Sequence, residues 1–487
     1  MKTIQAVVLT IALTTAASAP AANADTPAPA DYGSIFDCVS KPKAQSTAPA
    51  GKLTRFALDA VSSDPTVAQH AIAALRENGP DGLRALLDTH AEILKQHDTP
   101  SLFVAAKVPD ESWTRLKTAL DAVGQQRDCY ASKLFWWTDL EQAKSAARES
   151  GKPILSLRLL GKLDEEFSCA NSRFFRTTLY ANAEVAKYLN DHFVLHWKSV
   201  RPVPRVTIDF GDGRKLERTI TGNSIHYVLD ADGRVIDALP GLYGPQAFLT
   251  GLGRAETVAN QCNSLTGEPR EQRLRAFHQE RAAALRAGLA ADLQQINSSH
   301  VTREESDVAT PVVNITPAAQ AAGRLAVGKG RVEMPILRPA LPETKPNQTA
   351  QYAMLDDATW AGIAALHADT ARLDVGTKAL IRAKNPTAFD ASRLALSKAF
   401  VEDPLLRQIR VLERSISEDT VRNEYVFHAK LHEWLATGPV ANADALNARV
   451  YTELFLTPDS DPWLGLVPAD TFSALDHGGL VQTPAKP

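Results

Sequence analysis

The run Ile154-Leu155-Ser156-Leu157-Arg158-Leu159-Leu160 constrains the fold of this chain more than any other segment. It is nearly continuous in aliphatic residues over the length of one strand, and such a strand has to be covered on both faces. A helix from Asp139 to Ser150 is expected before it, stopped at Gly151 with Pro153 just beyond. After it comes Cys169-Ala-Asn-Ser172, opening a helical stretch that ends in Asn190-Asp191-His192-Phe193-Val194. A cysteine at a strand-to-helix turn has its thiolate favoured by the unpaired N–H groups and dipole of the helix start.

The segments downstream complete a layered unit. Asn182 caps a helix carrying Val185, Tyr188 and Leu189 on one side, and Phe193 to Trp197 is a second strand. Val206, Ile208 and Phe210 alternate, as do Leu216, Arg218 and Ile220, about Gly211-Asp212-Gly213, which predicts a hairpin. Ile225 to Leu229 and Arg234 to Ala238 predict another about Asp232-Gly233, and Gln246 to Ala259 a closing helix. The order helix, strand, helix, strand, hairpin strands, helix predicts a three-layer α/β sandwich.

On these residues the segment of about 135–261 resembles the thioredoxin-like superfamily. The resemblance is carried by Lys152-Pro153-Ile154, Cys169-Ala-Asn-Ser172, Glu184-Val185, Leu189-Asn190-Asp191-His192-Phe193-Val194 and Leu229-Asp230-Ala231-Asp232-Gly233. It covers about a quarter of the chain and comes with a degenerate C-x-x-S motif in place of C-x-x-C. It implies a thioredoxin-like three-layer sandwich, flanked here by an N-terminal helical module and a mainly α-helical C-terminal region. It also implies that Ser224, within Thr221-Gly222-Asn223-Ser224-Ile225, stands where the family places a cis-proline beside the cysteine.

The expected organisation is a signal peptide over 1–24, a flexible leader over 25–50, a helical module over 51–130 and the thioredoxin-like domain over 131–262. A long helix over 263–296, a connector over 297–352 and a helical C-terminal domain over 353–487 follow. The signal reading rests on Lys2, the apolar run Ile4 to Thr15 and the small residues Ala22-Asn23-Ala24, with cleavage near Ala24. The mature protein is therefore expected to be secreted or periplasmic. No later apolar run approaches the roughly 20 residues of a membrane-spanning helix. In the helical module, Asp64-Pro65 starts a helix, Gly79-Pro80-Asp81-Gly82 breaks the chain, and Leu83, Leu86 and Leu87 begin another. Phe135-Trp136-Trp137 is expected to pack at the domain entrance. The net charge of −3 gives no electrostatic reason to expect nucleic acid or an anionic membrane as partner.

Cys169 and Ser172 are the candidate catalytic pair. In a two-cysteine enzyme the first thiol attacks a substrate disulfide and the second resolves the mixed disulfide. Ser172 can hydrogen-bond the sulfur but cannot expel a bound thiol, so the resemblance implies thiol–disulfide exchange, isomerisation or thiol-based client capture. The partners would then be protein thiols or disulfides of exported clients. The alternative is a non-catalytic thioredoxin-fold interaction or scaffold protein of the cell envelope. Thiol chemistry requires Cys169 to be uncrosslinked and reachable by solvent. Glu165, Glu166 and Asp164 before it oppose the thiolate, while Arg173 and Arg176 after it favour it.

An oxidising compartment allows disulfides, and Cys38 and Cys129 bracket the helical module as a candidate structural pair. Cys169 and Cys262 are expected to stay unbonded. In the fold that the resemblance implies, the last strand returns toward the pole of Cys169 and the closing helix, about 20 Å long, runs away from it, against a limit of roughly 7 Å between bridged Cα atoms. Glu424, His428 and His432 recur every four residues and share one helix face, a spacing that suits zinc, but the order is not H-E-x-x-H. Packing against Phe427, Leu431 and Trp434 is the favoured reading of those histidines, and no metal or cofactor is expected.

Overall fold

A computed structural model describes residues 50–97, 110–219, 222–300, 355–384, 404–438, 442–455, 457–458 and 460. All of them fall within the compact unit Ser46–Pro487. The expected signal peptide, leader and connector lie outside the described residues, as do Cys38, Trp463 and Leu466.

The N-terminal module consists of α1 (Ala50–Asp59), α2 (Pro65–Glu77), α3 (Gly79–Thr89), α4 (Ala91–His97), α5 (Glu111–Gly124) and the short α6 (Cys129–Ser132). The Asp64 carboxylate accepts from the Thr66 and Val67 N–H groups, and Pro65 holds the first helical position where it needs no donor. The helix α3 starts at Gly79 itself, four residues earlier than the Leu83 start that the Gly-Pro-Asp-Gly punctuation suggests, with Gly79 at φ +61°. Leu75, Leu86, Leu116 and Leu120 are completely buried and centre a core of their own.

The helix α7 (Leu140–Ser150) is capped by Asp139, which accepts from the Gln142 N–H, and ends on Gly151 in the left-handed region. Then β1 (Ile154–Leu160) is buried at every residue, as its aliphatic run requires. It leads to α8 (Ala170–Phe174), a π-helical turn (Phe175–Leu179) and α9 (Ala183–His192), whose cap is the Asn182 side chain. The strands β2 (Val194–Arg201), β3 (Arg205–Asp209), β4 (Lys215–Thr219), β5 (Ser224–Leu229) and β6 (Val235–Pro240) follow, then α10 (Pro245–Asn263) and α11 (Glu268–His300).

Four strands form one sheet in the order β2-β1-β5-β6, with β1 parallel to β2 and antiparallel to β5, and β5 antiparallel to β6. The β3–β4 hairpin stands apart as a second sheet. Helices cover both faces of the larger sheet. On one face His226 lies among Phe175 and Phe248, from the π-helical turn and α10. The other carries Ser156 opposite Tyr227 and meets the C-terminal helices.

Those C-terminal elements are α12 (Asp357–Leu366), a 3-10 turn (Ala368–Ala371), α13 (Val375–Lys384), α14 (Pro404–Arg422), a π-helical turn (Asn423–His428), α15 (Ala429–Thr437), α16 (Ala443–Arg449) and a last π-helical turn (Val450–Leu454). Their apolar residues, Trp360, Ile363, Leu431, Leu446 and Phe455 among them, belong to the same continuous core as β1, β5 and α10. The expected border at residue 353 is therefore crossed by unbroken packing. Trp136 belongs to this core, whereas Phe135 belongs to that of the N-terminal module. The aromatic triplet thus sits at the junction, with Arg76 stacked over Phe135 and its guanidinium bonded to the Trp136 carbonyl. Among the described residues no helix is long and apolar enough to cross a membrane.

Candidate functional site

Cys169 sits where β1 has handed over, by way of a loop, to α8. Its N–H donates to the Leu160 carbonyl at 3.1 Å, and its own carbonyl accepts the Arg173 N–H at 3.1 Å. The residue is in extended geometry just before the helix, as expected for a turn cysteine. Its sulfur lies 3.1 Å from Ser224 Oγ and 3.5 Å from Ser172 Oγ, with the Asn223 carbonyl at 4.0 Å.

The two hydroxyls play different parts. Ser172 has a single proton and donates it to the Cys169 carbonyl at 2.9 Å, so toward the sulfur it is an acceptor. Ser224, at the start of β5 and in register with Leu159, is the hydroxyl able to donate to the sulfur. The donor position toward the sulfur that the sequence reading gives to Ser172 is open to Ser224 instead. No cis peptide occurs at Ser224 or elsewhere among the described residues.

The sulfur is not reachable by solvent: Cys169, Ser172 and Ser224 are all 0 % exposed. The cover comes from the far end of the chain. The Tyr451 hydroxyl donates to the Asn223 carbonyl at 3.0 Å, and the Asn223 amide donates to Thr457 Oγ1 at 3.1 Å. Burial pushes the phenols of Tyr451 and Tyr180 well up, and the neighbouring Cys169 sulfur adds to it. The flanking charges turn elsewhere. Arg176 donates to the Leu163, Glu165 and Glu166 carbonyls, and Arg173 to Thr219 Oγ1. Glu166 pairs with Arg127 and Glu165 with Lys162.

Beside this pole opens a cleft of about 460 Å³ lined by Arg158, Lys198, Asp444, Asn447 and Tyr451. The Arg158 guanidinium is 1 % exposed and reaches Asp444 at 3.0 Å as well as Ser156 Oγ. Asp444 also binds Lys198 at 2.8 Å, and although burial works against its charge, the two cations hold its carboxyl below the usual range.

Among the described residues, Cys129 and Cys262 carry no disulfide. Cys129 is buried, its thiol donates to the Leu134 carbonyl at 3.6 Å, and burial followed by nearby Asp121 pushes it well up. Its pairing with Cys38 rests on a residue outside the described ones and remains a proposal. Cys169 and Cys262 are both free thiols, in keeping with the helix-length argument.

Glu424, His428 and His432 do share a face, but they meet groups from three further elements that their spacing could not disclose. His428 bridges Glu424 Oε2 at 2.9 Å and Asp237 Oδ1, on β6, at 3.3 Å. Burial lowers its basicity, yet the two carboxylates outweigh that and raise it to about 9. Glu424 also takes Arg254 at 3.3 Å and Arg281 at 3.2 Å, and these cations with His428 hold it down at about 2 against its burial. His432 Nδ1 lies 2.9 Å from Nδ1 of His278 on α11. Asp237 and His278 escape a sequence reading because nothing local marks either as a partner of α15.

Searches against family models, curated proteins and solved structures find no match to this chain.

Proposed function

We propose that this is an exported, non-catalytic interaction protein built on a thioredoxin-like domain at 131–262, with its C-terminal helices docked over the thiol pole. The strand order β2-β1-β5-β6, with a cysteine before the helix that follows β1 and a serine on β5 facing its sulfur, supports the domain assignment. The observation that carries the functional reading is the complete burial of Cys169 beneath Tyr451 and Thr457. A thiolate must touch its target disulfide to attack it, and a sulfur without solvent access has no such path. The exposed partner surface would be the cleft of Lys198 and Asp444, with buried Arg158 behind them, whose charges suit a polar protein segment.

Thiol exchange or client capture through Cys169 is the second reading. It is favoured by the Ser224 hydroxyl at 3.1 Å, which can stabilise a thiolate. It requires the segment around Tyr451 to move away. Maleimide labelling of the full-length native protein separates the two. The first reading expects Cys169 to label only in denaturant and no disulfide-linked partners to form. Rapid native labelling, with trapped partners that vanish in Cys169→Ser, would establish exchange instead.

A further inference from the structure

We propose that Asp237, His278 and His432 form a binding site for one divalent transition metal ion of the zinc class, joining β6, α11 and α15. The three residues come from elements far apart in sequence, and one ligand atom from each lies within 4.8 Å of the others. They are 2 %, 2 % and 0 % exposed. Zinc bound at about 2.0–2.1 Å to nitrogen and oxygen spaces its ligands by roughly 3.3 Å in a tetrahedron, so small side-chain rotations close this set on an ion. Two imidazoles and one carboxylate are the donor types that zinc takes, and they leave one tetrahedral position for a water or small anion.

An independent observation points to the same place. The two Nδ1 atoms of His278 and His432 face each other at 2.9 Å, and a single proton satisfies that contact. His432 Nε2 is then left buried with no hydrogen-bond partner among the described residues. Asp237 Oδ1 stands 3.9 Å from it, too far for a hydrogen bond. If Nδ1 donates, Nε2 is a buried lone pair without a donor; if Nδ1 accepts, Nε2 is a buried N–H without an acceptor. A cation that displaces the shared proton is held by the two Nδ1 lone pairs and by Asp237, and leaves His432 Nε2 as an N–H on the side of the Asp237 carboxylate. Of the surrounding cationic groups, Arg254 and Arg281 are both directed at Glu424, and His428 is shared between Glu424 and Asp237. His428, held between Asp237 and Glu424, would act as the outer partner that orients the carboxylate. This set differs from the one-face set of Glu424, His428 and His432, and it does not depend on the reading of Cys169.

The test uses tag-free, full-length protein stripped with chelator and titrated with Co(II), then with Zn(II) in competition. One Co(II) per chain is expected, with visible d–d absorption that Zn(II) abolishes. His278→Gln and His432→Gln should lose this binding, while His428→Gln should keep the stoichiometry and weaken affinity about 10–100-fold, as outer partners do. Variants are scored only where their circular dichroism matches the parent protein. A parent chain that takes up neither ion overturns the proposal whatever the variants do. So does binding that survives in a well-folded His278→Gln and is lost in His428→Gln.

Discussion

His226 shows how a single residue sets the chain's response to acid. It lies on β5 with its ring between Phe175 and Phe248, at centroid distances of 4.6 and 5.0 Å, and its Nε2 is 2.6 Å from the Tyr180 hydroxyl. Burial alone drives its basicity down to about 3. His196 on β2 is held near the same value by burial first and by Arg158 second. Both are neutral in the folded protein and take up a proton near pH 6.5 once unfolded. For these two groups the unfolded state thus binds more protons between about pH 6.5 and 3, and their contribution to stability is complete above that window and lost as pH falls through it. Each group contributes a slope of about 1 kcal/mol per pH unit. Urea denaturation at pH 7, 5.5 and 4.5 should show the combined decline. His226→Phe should reduce the slope by one group's share, after an initial loss of roughly 1–3 kcal/mol for the Tyr180 hydroxyl left unpartnered. An unchanged slope in that variant would mean His226 is charged in the folded state or shielded in the unfolded one.

At the scale of elements, close backbone approach decides how helices α2 and α3 pair. A Cβ built on Gly82 would stand 1.9 Å from the Leu75 carbonyl oxygen and 2.7 Å from its carbon. Those are backbone atoms, so no rotamer change relieves the clash, and the helices have to separate. Gly82→Ala should cost about 3 kcal/mol or more, read as a lower urea midpoint for the parent fold. A change under about 0.5 kcal/mol would show that the crossing is looser than drawn. This tight crossing was not legible in the sequence, where Gly79-Pro80-Asp81-Gly82 reads as a break rather than the first turn of α3. The caps were legible because each is a local event: Asp64, Asp139 and Asn182 bond N–H groups two or three residues ahead, and Gly151 takes a left-handed φ that its neighbours would resist. The strands β1 and β5 and the hairpins were legible through aliphatic runs and turn glycines. The cover over Cys169 was not, since Asn223 and Tyr451 meet across 228 positions and periodicity carries no information at that range. For the same reason the helix-face spacing of His428 and His432 revealed two members of their cluster and concealed Asp237 and His278.

Across the whole molecule, the sheet and the C-terminal helices share one core, and their joint is made at the start of α10. Gly244 precedes that helix, and its N–H donates to Thr420 Oγ1 on α14 at 2.8 Å. A Cβ there would fall 2.4 Å from the Thr370 carbonyl oxygen and 2.6 Å from Ala371 Cα. Gly253, further along the same helix, has only the Tyr188 hydroxyl near it, at 3.6 Å. The two positions therefore predict opposite signs for one substitution. Gly253→Ala should stabilise by roughly 0.5–1 kcal/mol through helix propensity. Gly244→Ala should push the 3-10 turn Ala368–Ala371 off α10 and destabilise by about 3 kcal/mol. Because the core is continuous, that loss should reach the sheet as well as the helices. Trp197 on β2 and Trp360 on α12 report the two regions, each isolated by replacing the other tryptophans with Phe. In the parent both probes should give one coincident urea transition, and in Gly244→Ala both should move together. A Trp360 transition that shifts while Trp197 stays in place would show that the C-terminal helices unfold on their own. The lid over Cys169 would then open at far lower cost than global unfolding, and thiol exchange would regain a route to the sulfur.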